Sequence, residues 1–432
     1  MAALLLFLLA FALSTASTAE AGSPEGAVIL AIDGLGSSYV YPEYQAFDIE
    51  GRPIERAVLY NLTGGGARVL DLRVPIPETG PSHSVLVTGR ANANEEDVSV
   101  PNATIFDRAR EGGYIPLAIL QRGDFNQMLE EQDGCLYFPN NAIGGAEPVL
   151  LDRGLSPDLR DLLDRWRISY ENYSGGEGCA AYISYNRWAL DAAAEIVESM
   201  DRPFILLVNA GAVDTAGHNL GPENYVEVIR GLDEPLGGLR DACERSGALL
   251  VVTADHGMAF SSGEGGHASK KYAGMLESRR VPLVFFGPGI DELIVGGVWL
   301  ETDIAPTLLD LLELNADLGE GQIIPVRSCF RLEVILDSPG MVTVSRDGVI
   351  VAEADGLDRY TFSDLERGVY KLSAPGSSQE VCISDHLSLD LRTAKSSYRV
   401  APSRSSIGIA LILIINLAGA LVILWILKKK KG

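Results

Sequence analysis

The sequence predicts an α/β protein: a doubly wound, mostly parallel sheet flanked by helices, followed by a small all-β sandwich and one C-terminal transmembrane helix. Three observations carry this expectation. Short, wholly apolar runs alternate with amphipathic stretches between residues 27 and 314, and such runs are the mark of strands buried on both faces of a parallel sheet. Beyond residue 326 the pattern changes to short alternating strands separated by Gly-rich turns. Finally, residues 407–427 carry a single polar side chain, Asn416, and are followed at once by Lys428–Lys431.

The elements follow in chain order. Ala2–Leu13 is apolar, and Ser14–Ala19 is a run of small residues, which reads as a secretory signal peptide over 1–21, although no Lys or Arg precedes the apolar run. The α/β domain is expected over 26–325. Its strands are Ala27–Ile32, the strand-like Arg68–Val74, Pro203–Asn209, Gly247–Thr253 and Val281–Phe286. Its amphipathic helices are Trp188–Ser199, Asn224–Ser246 and Asp303–Leu314. The sandwich, 326–393, holds strands at Phe330–Leu336, Met341–Ser345, Val349–Ala352 and Val369–Ser373. A polar tether, 394–406, leads to the span at 407–427, whose length at about 1.5 Å per residue matches a hydrocarbon core of roughly 30 Å. The lysine tail, 428–432, is expected to stay cytoplasmic. Both ends therefore predict a single-pass cell-membrane protein with its bulk outside the cytoplasm.

Composition narrows the function. The chain has 432 residues, 47% apolar and 22% charged, with a formal charge of −23. That is a globular composition. It excludes a nucleic acid polymer as partner, since phosphate backbones want a basic face. Sequons at Asn61, Asn102 and Asn172 mark possible glycan sites. Of the five cysteines, Cys329 with Cys382 and Cys135 with Cys179 are the pairs open to bridging, and Cys243 reads as a lone buried thiol. No Cys-x-x-Cys is present, which argues against a thiolate zinc site. The oligomeric state is open.

Three of the five histidines fall just after apolar strands, each with a glycine beside it and an aspartate near. They are His218 in Asp214-Thr-Ala-Gly-His218, His256 in Asp255-His256-Gly257, and His267 in Gly265-Gly-His267. Asp214 and His218, four residues apart, can meet one ion if the segment makes a helical turn. Asp33 ends the first strand. Imidazole with carboxylate suits Zn²⁺ or Mn²⁺. Thr79, in Glu78-Thr79-Gly80-Pro81-Ser82-His83, is expected just before a helix N-terminus, where free N–H groups favour an anion. His83 reads as helix packing or surface, and His386 as part of the sandwich.

The set Ala31-Ile-Asp33-Gly, Thr79-x-Pro followed by Thr88-Gly, Asp214-x-x-Gly-His218, Asp255-His256-Gly and Gly-Gly-His267 resembles the alkaline phosphatase superfamily, and within it the type I phosphodiesterase/nucleotide pyrophosphatase branch. The late Asp303-Ile-Ala-Pro-Thr-Leu-Leu is similar to a helix common there. The resemblance spans about residues 26–314 and implies two divalent metals, Zn²⁺ first and Mn²⁺ second. One would be held by Asp214, His218 and His267, the other by Asp33, Asp255, His256 and the Thr79 oxygen. It implies in-line displacement at phosphorus with Thr79 as nucleophile and a covalent phospho-threonine. A threonine nucleophile argues against a standard sulfatase, whose Cys or Ser is oxidised to an aldehyde. Glu78 and Gly80 replace the Lys and aromatic residue frequent in the diesterases, which leaves nucleotide substrates unsupported. Asn102 is a loose match for the asparagine that holds a phosphate oxygen.

The expected function is thus an exported, membrane-anchored phosphodiesterase or phosphatase acting on a small phosphate ester, a glycan or a lipid. The alternatives are a transferase moving a phosphoryl-linked head group onto surface glycan or lipid, a sulfatase-like hydrolase, and a non-catalytic scaffold.

Overall fold

In the computed structural model the described residues are 24–327, 329–383 and 387–392. The segments expected as signal peptide, span and cytoplasmic tail, the tether at 394–406, and His386 lie outside them. Among the described residues no helix is long and apolar enough to cross a membrane. The chain divides into two compact units at Cys329/Phe330.

The first unit is a mixed α/β fold around a nine-stranded sheet. Its strands are β1 (Gly26–Ile32), β2 (Ala67–Arg73), β3 (Ile115–Leu120), β4 (Gly134–Tyr137), β5 (Val149–Asp152), β6 (Phe204–Ala210), β7 (Leu249–Thr253), β8 (Arg280–Phe286) and β9 (Leu293–Leu300). They lie in the order β9-β2-β8-β7-β1-β6-β3-β4-β5. Strands β7, β1, β6, β3 and β4 are mutually parallel, while β5 and β8 run against their neighbours. Every residue of β1, β3, β6 and β7 is buried, which is why these runs need no polar alternation.

The principal helices are α1 (Thr79–Thr88), α2 (Ile105–Glu111), α3 (Pro157–Ser169), α4 (Cys179–Ser199), α5 (Ala212–Arg230), α6 (Asp233–Arg245) and α7 (Ile304–Leu311). The stretch expected as one helix over 224–246 is instead the end of α5 and all of α6. The break falls at Gly231–Leu232, and Pro235, which lacks an N–H, fits the opening turn of a new helix. Helix α5 also begins earlier than expected, directly after β6. It is interrupted at Gly221 (φ 78°, ψ 175°), ahead of Pro222.

The second unit holds a four-stranded and a three-stranded sheet. Its strands are β10 (Cys329–Ile335), β11 (Val342–Arg346), β12 (Val349–Ala354), β13 (Arg359–Glu366), β14 (Gly368–Ala374), β15 (Ser377–Ile383) and β16 (Leu387–Asp390). The sheets run β12-β11-β14-β15 and β13-β10-β16. Alternate residues of β10 are buried. Leu332 and Val334 from one sheet and Val344, Leu372 and Ile383 from the other share one core. Cys135 and Cys243 are buried, and neither Cys135–Cys179 nor Cys329–Cys382 is bridged among the described residues.

Candidate metal centre

The sheet register places the chemistry. In β1, Ala31 stands opposite Asn209 of β6 and Thr253 of β7, and Ile32 stands opposite Ala210. Three parallel strands therefore end level with one another. Asp33 leaves β1 directly, Asp214 sits in the first turn of α5 after β6, and Asp255 follows β7 by two residues. Ligand sites in such sheets form beyond the carboxyl ends of the strands. Gly34 lets the segments meet: at φ 80° it adopts a conformation L side chains avoid, and a Cβ there would stand 2.7 Å from the Asp214 Cα.

Two groups of side chains converge at this edge, Asp214 with His218 and His267, and Asp33 with Asp255 and His256. In the first, Asp214 Oδ1 lies 3.3 Å from His218 Nε2 and 3.4 Å from His267 Nε2. In the second, His256 Nε2 lies 3.4 Å from Asp33 Oδ1 and 3.5 Å from Asp255 Oδ2. The groups adjoin, for the rings of His256 and His267 stack 3.6 Å apart. Both aspartates of the second group and His256 are wholly buried, and Asp214 nearly so.

The backbone sets each imidazole. Nδ1 faces a carbonyl in all three: Gly265 O for His218 at 3.1 Å, Gly257 O for His256 at 3.0 Å, and Pro77 O for His267 at 2.6 Å. Nδ1–H donates, so every Nε2 is left to face the carboxylates. That arrangement fixes the tautomer and ring orientation of a metal-ligating histidine. Both oxygens of Asp33, Oδ1 of Asp214 and Oδ2 of Asp255 are buried with no hydrogen-bond partner. Buried carboxylates without partners are costly, and divalent cations are the groups that would satisfy this donor set. The residues fit two such ions.

The electrostatics agree. Burial, then the charges of Asp255 and Asp214 against the opposing pull of Arg122, push the Asp33 carboxyl well up. Burial would also raise Asp214, but the close approach of His218 and the charges of His256 and Arg122 outweigh it and hold that carboxyl low. The Asp214 carboxylate close beside it raises His218. Burial and then the charge of His256 push His267 down to about 4, leaving its imidazole neutral and able to coordinate at pH 7.

Thr79 is the first residue of α1, not the residue before it; Glu78 takes the cap position and makes no side-chain cap. Its hydroxyl is therefore free of capping and lies 3.2 Å from His256 Nε2. The structure thus brings together Thr79, Asp33, Asp214, His218, Asp255, His256 and His267. Asn102 is placed elsewhere in kind: it is exposed, with φ 62°, and no hydrogen bond links it to the clustered side chains among the described residues. Asparagine tolerates that left-handed turn, which accounts for its presence just before α2.

Residues outside the sequence expectation also belong here. Arg122, after the unforeseen strand β3, is only 12% exposed and spans both groups, with Nη1 2.9 Å from Asp214 Oδ2 and Nε 3.5 Å from Asp33 Oδ2. Ser82 Oγ bonds the Asp255 carbonyl and, at 2.6 Å, the buried Glu301. His83 is 1% exposed, a buried residue and not a surface one. A strand assignment over 115–120 would have exposed Arg122; nothing in the local sequence singles out Glu301.

Residues 170–316 match the family described as the Metalloenzyme superfamily. A 2,3-bisphosphoglycerate-independent phosphoglycerate mutase of Haloquadratum walsbyi is 32% identical over 128 residues, 29% of this chain and 24% of that one. A phosphopentomutase of Herpetosiphon aurantiacus is 28% identical over 179 residues, 39% of this chain and 43% of that one. The chain thus matches about a quarter of the length of the mutase and under half of the phosphopentomutase. Among solved structures, the alkaline phosphatase PafA is similar at 13% identity and a TM-score of 0.49, covering 71% of this chain and 99% of that one. The matched segment contains Asp214, His218, Asp255, His256 and His267 but neither Asp33 nor Thr79. These relatives are phosphomutases, where the motifs had suggested the diesterase branch. Over residues 170–316 the chain is thus similar to the Metalloenzyme superfamily, and that segment carries five of the seven residues of the two groups.

Proposed function

We propose that the protein is a metal-dependent phosphoric ester hydrolase that works through a covalent phospho-threonine at Thr79. The observation that carries this reading is the hydroxyl at the start of α1, 3.2 Å from His256 and beside two adjoining acid–imidazole groups. Asp33, Asp255, His256 and Thr79 would hold one divalent ion, and Asp214, His218 and His267 the other, with Zn²⁺ or Mn²⁺ suited to these donors. When bound, the ions would neutralise the crowded carboxylates, polarise the phosphoryl oxygens and lower the pKa of coordinated hydroxyls.

The chain's own groups do the rest. Thr79 Oγ forms a bond to phosphorus as the ester oxygen departs, and its proton passes to solvent. The amide N–H groups opening α1 and the Arg122 guanidinium orient the phosphoryl oxygens. Water then cleaves the Thr79–phosphorus bond, releasing phosphate or a phosphate monoester and restoring the hydroxyl.

A second reading, phosphoryl transfer to an acceptor hydroxyl in place of water, is favoured by the phosphomutase relatives. The proposal extends to an exported, membrane-tethered enzyme acting on a small phosphate ester, glycan or lipid, on the strength of the apolar sequence at 2–13 and 407–427. Cell fractionation tests that part; recovery only in the soluble cytoplasmic fraction would refute it.

The chemical test uses the full chain in detergent with Zn²⁺ or Mn²⁺, against aryl phosphate mono- and diesters and an aryl sulfate. Phosphate ester turnover is expected, lost in Thr79→Ala and on chelation. Equal turnover by Thr79→Ala would sink the nucleophile, and a preference for the sulfate would sink the reaction class.

A further inference from the structure

Among the described residues, His83 is the histidine that neither acid–imidazole group uses. It lies one helical turn beyond Thr79 on α1, 1% exposed, with its ring packed on Phe125 at 4.6 Å between centroids. Both ring nitrogens are engaged. Nδ1 is 2.9 Å from the Thr79 carbonyl oxygen and 3.5 Å from Asp255 Oδ2. Nε2 is 3.3 Å from the side-chain nitrogen of Asn209, the residue of β6 opposite Ala31.

These contacts admit one protonation pattern. A carbonyl oxygen 2.9 Å away can only accept, so Nδ1 carries the hydrogen. The Asn209 amide N–H can only donate, so Nε2 is bare. The ring then carries one N–H, on Nδ1. Its single N–H points between the carbonyl of Thr79 and the Asp255 oxygen that has no hydrogen-bond partner. The other Asp255 oxygen is already held by the amides of Gly34, at 3.1 Å, and His256, at 2.8 Å.

We propose that His83, fixed in its tautomer by Asn209, is a positioning residue that ties the Thr79 turn to the Asp255 carboxylate and so sets the approach of the Thr79 hydroxyl to phosphorus. This rests on the phosphoesterase reading for its kinetic arm but not for its metal-binding arm. Groups that orient a ligand carboxylate govern metal affinity by about 10- to 100-fold. A displacement of about 1 Å at a reacting group costs about 100-fold in rate.

Two substitutions separate this role from simple packing. Asn places an amide nitrogen where Nδ1 stood; Gln carries its amide one bond further out, toward Nε2. In the full chain, zinc affinity by calorimetry, thermal midpoint, and kcat and KM for an aryl phosphate are measured for His83→Asn, His83→Gln and Asn209→Leu. Expected for His83→Gln and Asn209→Leu is zinc affinity about 10-fold weaker and kcat about 100-fold lower at little-changed KM. His83→Asn should stay within about fivefold of wild type on both. Retention of wild-type affinity and kcat by His83→Gln overturns the proposal, as does a His83→Asn variant as impaired as His83→Gln. If the wild type turns over no phosphate ester, the phosphoesterase reading fails, and the ordering of zinc affinities still decides the role of His83.

Discussion

Replacing Gly257 by alanine tests how tightly the strand ends must close for the centre to form. A Cβ at this position would stand 2.0 Å from the carbonyl oxygen of Glu277 and 2.9 Å from the Cα of Gly36. Ordinary carbon–oxygen contact begins near 3.4 Å, so the segments must part by more than 1 Å. Both obstacles are backbone, and no side-chain rotation relieves them. The segments are also fastened by the Gly257 amide donating to Ser278 O at 2.8 Å, so parting them strains or breaks that bond. Forced overpacking costs about 1–3 kcal/mol. His256 is covalently next to the displaced residue, and its Nδ1 bonds the Gly257 carbonyl. A shift of about 1 Å there predicts a loss of about 100-fold in kcat and about 10- to 100-fold in zinc affinity. The assays are calorimetric zinc titration and aryl phosphate turnover, with Gly274→Ala, where a Cβ meets nothing within 4 Å, as control. A Gly257→Ala protein with wild-type zinc affinity and turnover would refute the geometric argument.

Metal removal should lower stability measurably: at free ion one hundred times its Kd, binding contributes about 2.7 kcal/mol, and a thermal midpoint unchanged by chelator and by added Zn²⁺ would count against the centre. Arg122→Ala should destabilise the chelated protein by about 3 kcal/mol, because Asp214 and Asp33 lose their guanidinium, and the zinc-loaded protein by less; equal losses in denaturant melts would contradict this. For Glu301→Gln the sign follows from burial. The Glu301 carboxyl is wholly buried and raised well above its usual range, so its contribution is fully present below the unfolded pKa of about 4.5 and is lost as pH rises through the folded value. The variant, neutral throughout, should lack this group's share of the alkaline decline, at most about 1.4 kcal/mol per pH unit; parallel stability–pH curves for the two proteins would exclude it.

The sequence was most legible where local pattern and structure coincide. Ala27–Ile32, Pro203–Asn209 and Gly247–Thr253 read as buried strands because nothing polar interrupts them, and they became β1, β6 and β7 within a residue or two. The histidine motifs were legible because each has a glycine beside it, and those of His218 and His256 also carry an aspartate. What escaped depends on distant partners. Strand β3 contains Pro116 and offered no flanking motif, so Arg122 went unnoticed, although its role exists only because β3 lies beside β6. Glu301 became a buried acid only because Ser82 meets it from 219 residues away. The single helix expected at 224–246 failed for a local reason, the break at Gly231–Leu232, which the continuous amphipathic pattern concealed.

The level ending of β1, β6 and β7 bears on the order in which the centre can assemble. The group containing Asp214 is drawn from neighbouring chain: His218 bonds Gly265, only 47 residues on. The group containing Asp33 needs the first strand, and the bond from Gly34 to Asp255 spans 221 residues. Closing the longer loop costs about 1.4 kcal/mol more in chain entropy, and it cannot close until β1 has slotted between β6 and β7. The Asp33 group therefore depends on the seating of β1 between β6 and β7 in a way the Asp214–His218 pair, carried within one helix, does not.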